Sequence, residues 1–356
     1  MKIGLTIINL KDLNNNIFSN GINQNIIFLY DYFNKNVNDC YLISNNLNDN
    51  YKCVLDSNYK SNNFDIIIVI GLSLNIDNLE NSKTYFIKYI MGNDFLYNTN
   101  YILNNNNKLN LNIKKYHQIW ILPQFSYCID YYKYIYKNDN IIIGPYIWNS
   151  KYIRNLKIYQ SDVLNVGILE PNIVINKSCF IPILICDKAD EYINKVYVTC
   201  STHLINNDCF KELIFSSKLQ KNKKISFETR IPTNILYEKY INIVVSFVEN
   251  WDLNYTFLEC FYLGIPLVHN SKMLKEYGYY YEGYDINAAA NHIKLIKKNF
   301  NREEYILKNM KALEKYSFNN KIYLDFFNQN IKKIQSYNIT GDESYCNIEN
   351  LNNKLT

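Results

Sequence analysis

The chain has 356 residues, 48% of them hydrophobic and 20% charged. That is apolar material for about two packed domains and too little charge for a disordered chain. A net charge of +5 rests on 38 basic residues, only 3 of them Arg, so no nucleic-acid partner is expected, because base reading leans on bidentate Arg.

The chain opens Met-Lys-Ile-Gly-Leu-Thr-Ile-Ile-Asn-Leu. This apolar run is too short to span a bilayer and no cleavage-site pattern follows it, so residues 2–8 read as a first β-strand. After a loop, Ile22, Ile26, Leu29 and Tyr30 share one face of a helix over 22–33. Asn20 suits its N-cap, with Gly21 at the turn, and the unpaired N–H groups of that helix start suit a phosphate or a hydroxylated ligand. No G-x-G-x-x-G occurs, so this is not the dinucleotide fingerprint. Short β-branched runs follow at 40–44, 64–71, 84–91, 118–123 and 141–146, with a helix at 125–136. The run Asn104 to Asn107 belongs to a chain-wide bias, with 59 Asn and 34 Tyr against 5 Ala. Asn, Tyr, Ile and Lys have A/T-rich codons. The bias therefore reads as mutational, from a genome such as that of an intracellular parasite, a low-G+C bacterium or a giant DNA virus, and the Asn run reads as a loop.

The polar stretch 149–162 shows no strand. A second series then begins, with strands at 163–170, 195–200, 224–228, 241–247 and 266–269 and helices at 178–192, 208–217, 256–263 and 288–298. Short continuous apolar runs suit strands buried on both faces of a parallel sheet, and the alternation suits right-handed crossovers. The expected fold is α/β, with two Rossmann-like doubly wound domains, 1–150 and 160–300, facing across a cleft. A helical tail over 301–335 is expected to pack back toward the N-terminal domain, followed by a polar tail at 336–356. Nowhere do 18 apolar residues run together, so a soluble, cytoplasmic protein with no transmembrane segment is expected. The nine Cys form no C-x-x-C pair, and Cys and His never cluster at ligand spacing. Reduced thiols and no bound metal are expected.

Ligands of open α/β sheets bind beyond the carboxyl ends of the strands, so residues just after strands are the candidates. Glu170 and Asn172 end the strand at 163–170. Lys177 precedes the next helix, where it reads either as a surface residue or as a cation that neutralises a diphosphate. Residues 241–271 read INIVVSFVENWDLNYTFLECFYLGIPLVHNS: a buried strand, an aromatic turn, a short helix holding Glu259, a stop at Gly264-Ile265-Pro266, and a strand ending in His269-Asn270-Ser271. His203 and His269 each follow a strand and read equally as hydrogen-bonded structural residues. Trp148 and Trp251 are better candidates for sugar stacking than any single Tyr.

The stretch 241–271 resembles the donor-binding signature of retaining, two-domain (GT-B) glycosyltransferases of family 4, E-G-F-G-x-x-x-x-E-A followed by x-x-x-G-x-P-V. Glu259, Gly264 and Pro266 fall in register with its second acid, its Gly and its Pro, and Asn254 stands at its second Gly. Trp251 stands where the first acid would be. Nearly the whole chain is also similar to an uncharacterised family of bacterial glycosyltransferase-like proteins. The similarity is carried by Asn20-Gly21-Ile22-Asn23-Gln24-Asn25, Trp120-x-Leu122-Pro123-Gln124, Pro145-x-Ile147-Trp148, Glu170-Pro171-Asn172, Lys177 with Cys179-Phe180-Ile181-Pro182, His203, Glu228-x-Arg230-Ile231, Leu253-Asn254-Tyr255 and Pro266-Leu267-x-His269-Asn270-Ser271.

These resemblances imply a retaining, metal-independent glycosyltransferase acting in surface-glycan synthesis. It would have no cofactor beyond a co-substrate such as a UDP- or GDP-sugar, and a glycan or protein acceptor. The implied catalytic set is Glu259 on the donor ribose, Lys177 and Arg230 on the diphosphate, and Asn254 at the sugar. Glu170, Asn172, His203, Tyr255, His269, Asn270 and Ser271 would line the donor site. Asn20, Gly21, Asn23, Gln24 and Trp148 would form the acceptor side and phosphate loop. Two alternatives stay open: a GT-B-type nucleotide-sugar epimerase, and a non-catalytic nucleotide- or sugar-binding protein, the latter because of Trp251.

Overall fold

The computed structural model describes residues 1–11, 13, 17–36, 39–76, 82–103 and 116–340. It divides into two compact units, Met1–Trp148 with Tyr316 onward, and Asn149–Lys315. The Asn run at 104–107 and residues 341–356 of the expected polar tail lie outside the described residues.

Among the described residues the first unit holds seven strands: β1 Ile3–Thr6, β2 Cys40–Ser44, β3 Cys53–Leu55, β4 Ile66–Val69, β5 Tyr85–Ile90, β6 Gln118–Ile121 and β7 Ile141–Ile143. All pair in parallel, in the order β3-β2-β1-β4-β5-β6-β7. Every residue of β1, β4, β6 and β7 is buried. That explains why these strands read as unbroken apolar runs: helices cover both faces of such a sheet. The order grows outward in both directions from β1 and β4, so the topological switch point lies between them.

The second unit repeats that plan with β8 Leu164–Ile168, β9 Ile193–Val198, β10 Ile225–Phe227, β11 Ile243–Val245, β12 Leu267–His269 and β13 Tyr279–Tyr280. The order is β10-β9-β8-β11-β12-β13, again all parallel, with the switch point between β8 and β11. Val166, Ile168, Val196, Val198, Val245 and Val268 build its core with Ile183, Cys186, Ala289 and Ile293 from the flanking helices. Each Val and Ile among them contributes roughly 1.5–3 kcal/mol when fully buried. Cys40, Cys179, Cys186 and Cys260 are buried free thiols. The expected α/β, doubly wound architecture is what the structure has. Two edge strands, β3 and β13, and three α-helices, Asp94–Leu103, Lys218–Lys221 and Thr233–Lys239, were not expected.

The expected tail is two helices, Arg302–Tyr316 and Lys321–Thr340, so residues 336–340 continue the last helix. The first of them closes the second unit. Its Arg302 donates to Leu263 O at 2.7 and 3.1 Å, capping the helix Tyr255–Leu263, whose C-cap Gly264 has φ +66°. A Cβ at Gly264 would lie 2.7 Å from Arg302 Cγ, so the Gly of the G-x-P motif is required by the cap. The second helix belongs to the first unit. Phe327 packs 4.7 Å from Phe33 and 4.9 Å from Tyr32 between ring centroids, and Phe326 packs 5.3 Å from Trp120. Among the described residues, no helix is long and apolar enough to cross a membrane.

Candidate functional site

At the β8–β11 switch point the two strand ends present polar groups to each other. Glu170, two residues past β8, is 2% exposed. Ser246, the residue after β11, donates its hydroxyl to Glu170 Oε1. Glu170 Oε2 is buried and has no hydrogen-bond partner. Lys177 lies on the same β8 loop, with its ammonium 5.2 Å from the centre of the Trp251 ring, a cation–π arrangement. Burial pushes the Glu170 carboxyl above its ordinary range, against the opposing pull of Lys177, Ser246 and the Phe247 backbone. Burial likewise pushes the Lys177 ammonium down while Glu170 pulls it up. A buried acid and a half-buried cation on one loop thus act on each other's charge.

The loops around this pair are stitched together by the short polar side chains that the resemblance assigned to the donor. Asn172, at φ +53°, donates through Nδ2 to the carbonyls of Glu170 (3.1 Å), Thr199 (3.1 Å) and Cys200 (3.3 Å). It accepts from Cys179 N–H at 2.8 Å. Asn176 donates to Glu249 O at 2.8 Å and accepts Glu249 N–H on its carbonyl at 3.0 Å. Asn270 exchanges hydrogen bonds with the Val248 backbone at 2.8 and 2.9 Å, and Ser271 donates to Asp252 O at 2.8 Å. His269 is fully buried between Phe257, Phe261 and Tyr280. It accepts Ser271 N–H on Nδ1 and donates Nε2–H to Tyr277 O, and burial pushes it down to about 4. Asn172, His269, Asn270 and Ser271, expected to line the donor site, thus each hydrogen-bond loop backbone.

Glu259 sits in the helix Tyr255–Leu263 and is 2% exposed, so it is not a solvated helix acid. Tyr237 OH and Thr233 Oγ1 donate to its Oε2 at 3.1 and 3.3 Å, tying that helix to Thr233–Lys239. Burial, with Cys260 and Glu259 alongside, pushes the Tyr237 phenol well up. Asn254 is the N-cap of the Glu259 helix, accepting Thr256 N–H at 3.2 Å, and Tyr255 is buried. Arg230 is exposed on the loop after β10, and His203 is exposed in the short turn Thr202–Asn206.

In the first unit, the helix Gly21–Asn36 starts at Asn20, whose Oδ1 accepts Ile22 N–H at 2.9 Å. Gly21 is exposed and Gln24 is buried, with Asn23 between these extremes. Asn25 is buried with neither amide atom hydrogen-bonded. Trp148 is buried, its backbone N–H donates to Tyr316 O at 2.8 Å, and its backbone carbonyl accepts Phe318 N–H at 2.9 Å, which anchors the returning chain of the first unit.

Ser246 and Asn176 were not singled out from the sequence, and Asn25 was named only within a word carrying the resemblance. Ser246 carried a signal, as the one hydroxyl inside the apolar run of residues 243–248. Among the described residues, no group of three or more His, Cys, Asp and Glu is placed to hold a metal ion.

A family model described as protein of unknown function (DUF2827) matches residues 3–331. No curated protein matches the chain. Among solved structures, a glycosyltransferase from Rickettsia africae aligns over 96% of this chain and 99% of its own, with a TM-score of 0.57 at 12% identity. HepE of Anabaena, solved in complex with UDP-glucose, aligns over 94% and 99%, with a TM-score of 0.54 at 12% identity. The DNA-modifying enzyme β-glucosyltransferase, solved with and without uridine diphosphoglucose, aligns over 94% and 99%, with a TM-score of 0.53 at 12% identity. At these identities the likeness is one of fold, and the fold is that of GT-B glycosyltransferases.

Proposed function

The chain belongs to the family described as protein of unknown function (DUF2827), and from that footing we propose that it is a glycosyltransferase moving a sugar from a nucleotide-sugar to a glycan or protein acceptor. The observation that carries this reading is buried Glu170 and half-buried Lys177 on one loop, Lys177 stacked on Trp251, placed at the switch point of the second sheet in a GT-B fold. Ligands of open α/β sheets bind there. The neighbours supply the ligand class: HepE was solved with UDP-glucose. Negative charge builds on the departing diphosphate as the bond to the sugar breaks, and a preoriented cation in a dry site stabilises it without reorganising. Lys177 fills that role, with Arg230 joining from the β10 loop, so the reaction runs without a metal. Retention of configuration rests on the family-4 register of Glu259, Gly264 and Pro266.

Thermal shift tests this with UDP, GDP, UDP-glucose and GDP-mannose, each with and without EDTA. A ligand at a hundredfold excess over its Kd stabilises by about 2.7 kcal/mol, which is easily seen. No stabilisation by any of the four would end the transferase reading, and a shift abolished by EDTA would end metal independence. Hydrolysis of the bound nucleotide-sugar in the absence of acceptor separates a catalyst from a binding protein.

A further inference from the structure

The β8–β11 switch point holds more polarity than its own hydrogen bonds use. Glu170 Oε1 is occupied by Ser246, but the buried Oε2 is not. On the same loop, Asn176 is buried with its Nδ2 on Glu249 O and its Oδ1 unbonded. Both open atoms are acceptors. A buried acceptor left unbonded is costly, more so when it is charged, so a ligand that supplies donors here recovers that cost on binding. A phosphate oxygen cannot serve, since it brings like charge toward the carboxylate. A hydroxyl can. It has one O–H to give and lone pairs that take an N–H from the neighbouring ammonium.

We propose that Glu170 and Lys177 form a hydroxyl-reading subsite for the donor, with Glu170 Oε2 accepting a sugar O–H and Lys177 donating to a sugar oxygen beside it. The inference rests on the nucleotide-sugar reading above. It sharpens the role of Lys177, whose ammonium carries three N–H donors and so serves sugar and phosphate together.

Isothermal titration of the full chain tests this, comparing wild type with Glu170→Gln against UDP, UDP-glucose, GDP and GDP-mannose. The amide keeps the shape of the side chain and an acceptor for Ser246, but loses the charged acceptor. For whichever pair binds, affinity for the nucleotide-sugar should fall roughly tenfold, the usual effect of weakening a charge-assisted hydrogen bond. A loss confined to the nucleotide-sugar assigns the hydroxyl to the transferred sugar, and an equal loss for the nucleoside diphosphate assigns it to ribose. Unchanged affinity for all four overturns the subsite and leaves the transferase reading intact. If wild type binds none of the four, both are overturned. Glu170→Asp keeps the charge but withdraws it by one methylene; it should show the same pattern, and it decides the matter if the amide variant does not fold.

Discussion

Asn172→Ala tests how the loops of the second unit are held. Asn172 makes hydrogen bonds to the carbonyls of Glu170, Thr199 and Cys200 and to the N–H of Cys179. Its amide has two hydrogens and one strongly held acceptor, which amounts to about three bonds at roughly 0.5–1.5 kcal/mol each. At φ +53°, alanine adds about 1 kcal/mol of left-handed strain that asparagine tolerates. The total is about 3–5 kcal/mol. Asn172→Gly loses the bonds but not the backbone freedom, so it should be about 1 kcal/mol milder than alanine. Differential scanning calorimetry of the full chain reads both. At roughly 2–4 °C per kcal/mol for a domain of 150–250 residues, the alanine variant should lower the transition of the second unit by roughly 6–20 °C. A loss under 1 kcal/mol, or glycine no better than alanine, would refute the reasoning.

His269 is buried and pushed down to about 4, below the ordinary value near 6.5. The unfolded chain therefore takes a proton that the folded chain refuses. Stability from this group is complete above about pH 6.5 and declines by about 3 kcal/mol by pH 4; His269→Phe should flatten that part of a stability–pH curve, and an unchanged slope would contradict it. Phe327→Ala removes a ring packed on Tyr32 and Phe33 and should cost the first unit about 3–5 kcal/mol, with the second calorimetric transition unmoved. Asn25→Leu replaces a buried amide that has no hydrogen-bond partner and should raise the midpoint of the first unit by the equivalent of about 1–3 kcal/mol. A fall would show that the amide is bonded in solution.

The parallel core strands were legible because burial on both faces leaves no polar alternation to confuse a run such as Ile66–Val69. The two missed strands are edges. All three residues of β3 and both residues of β13 are half-buried, and so short a half-buried strand leaves no period to read. The helix Asp94–Leu103 has no buried residue, so no core contact marks it out from the surrounding polar stretch. At the site, sequence placed Glu170 and Lys177 at a strand end but could not show that Glu170 meets Ser246, which a crossover supplies from β11. It also could not tell a ligand-facing Asn from a loop-tying one. Asn172, Asn270 and Ser271 stand just past strands, as ligand contacts do, and only their hydrogen bonds reveal that backbone already occupies them.

Trp148 and Tyr316 are hydrogen-bonded neighbours with the whole second unit between them in sequence. During synthesis the chain therefore delivers a complete second unit while the first still lacks its last helix. Until Phe326 and Phe327 leave the ribosome, the aromatic surface of Tyr32, Phe33 and Trp120 that they cover stands open. Transiently exposed apolar surface of this kind promotes aggregation. The earlier-made half of this protein is the later to finish folding, and the nascent chain needs shielding at that face for as long as translation of the second half takes.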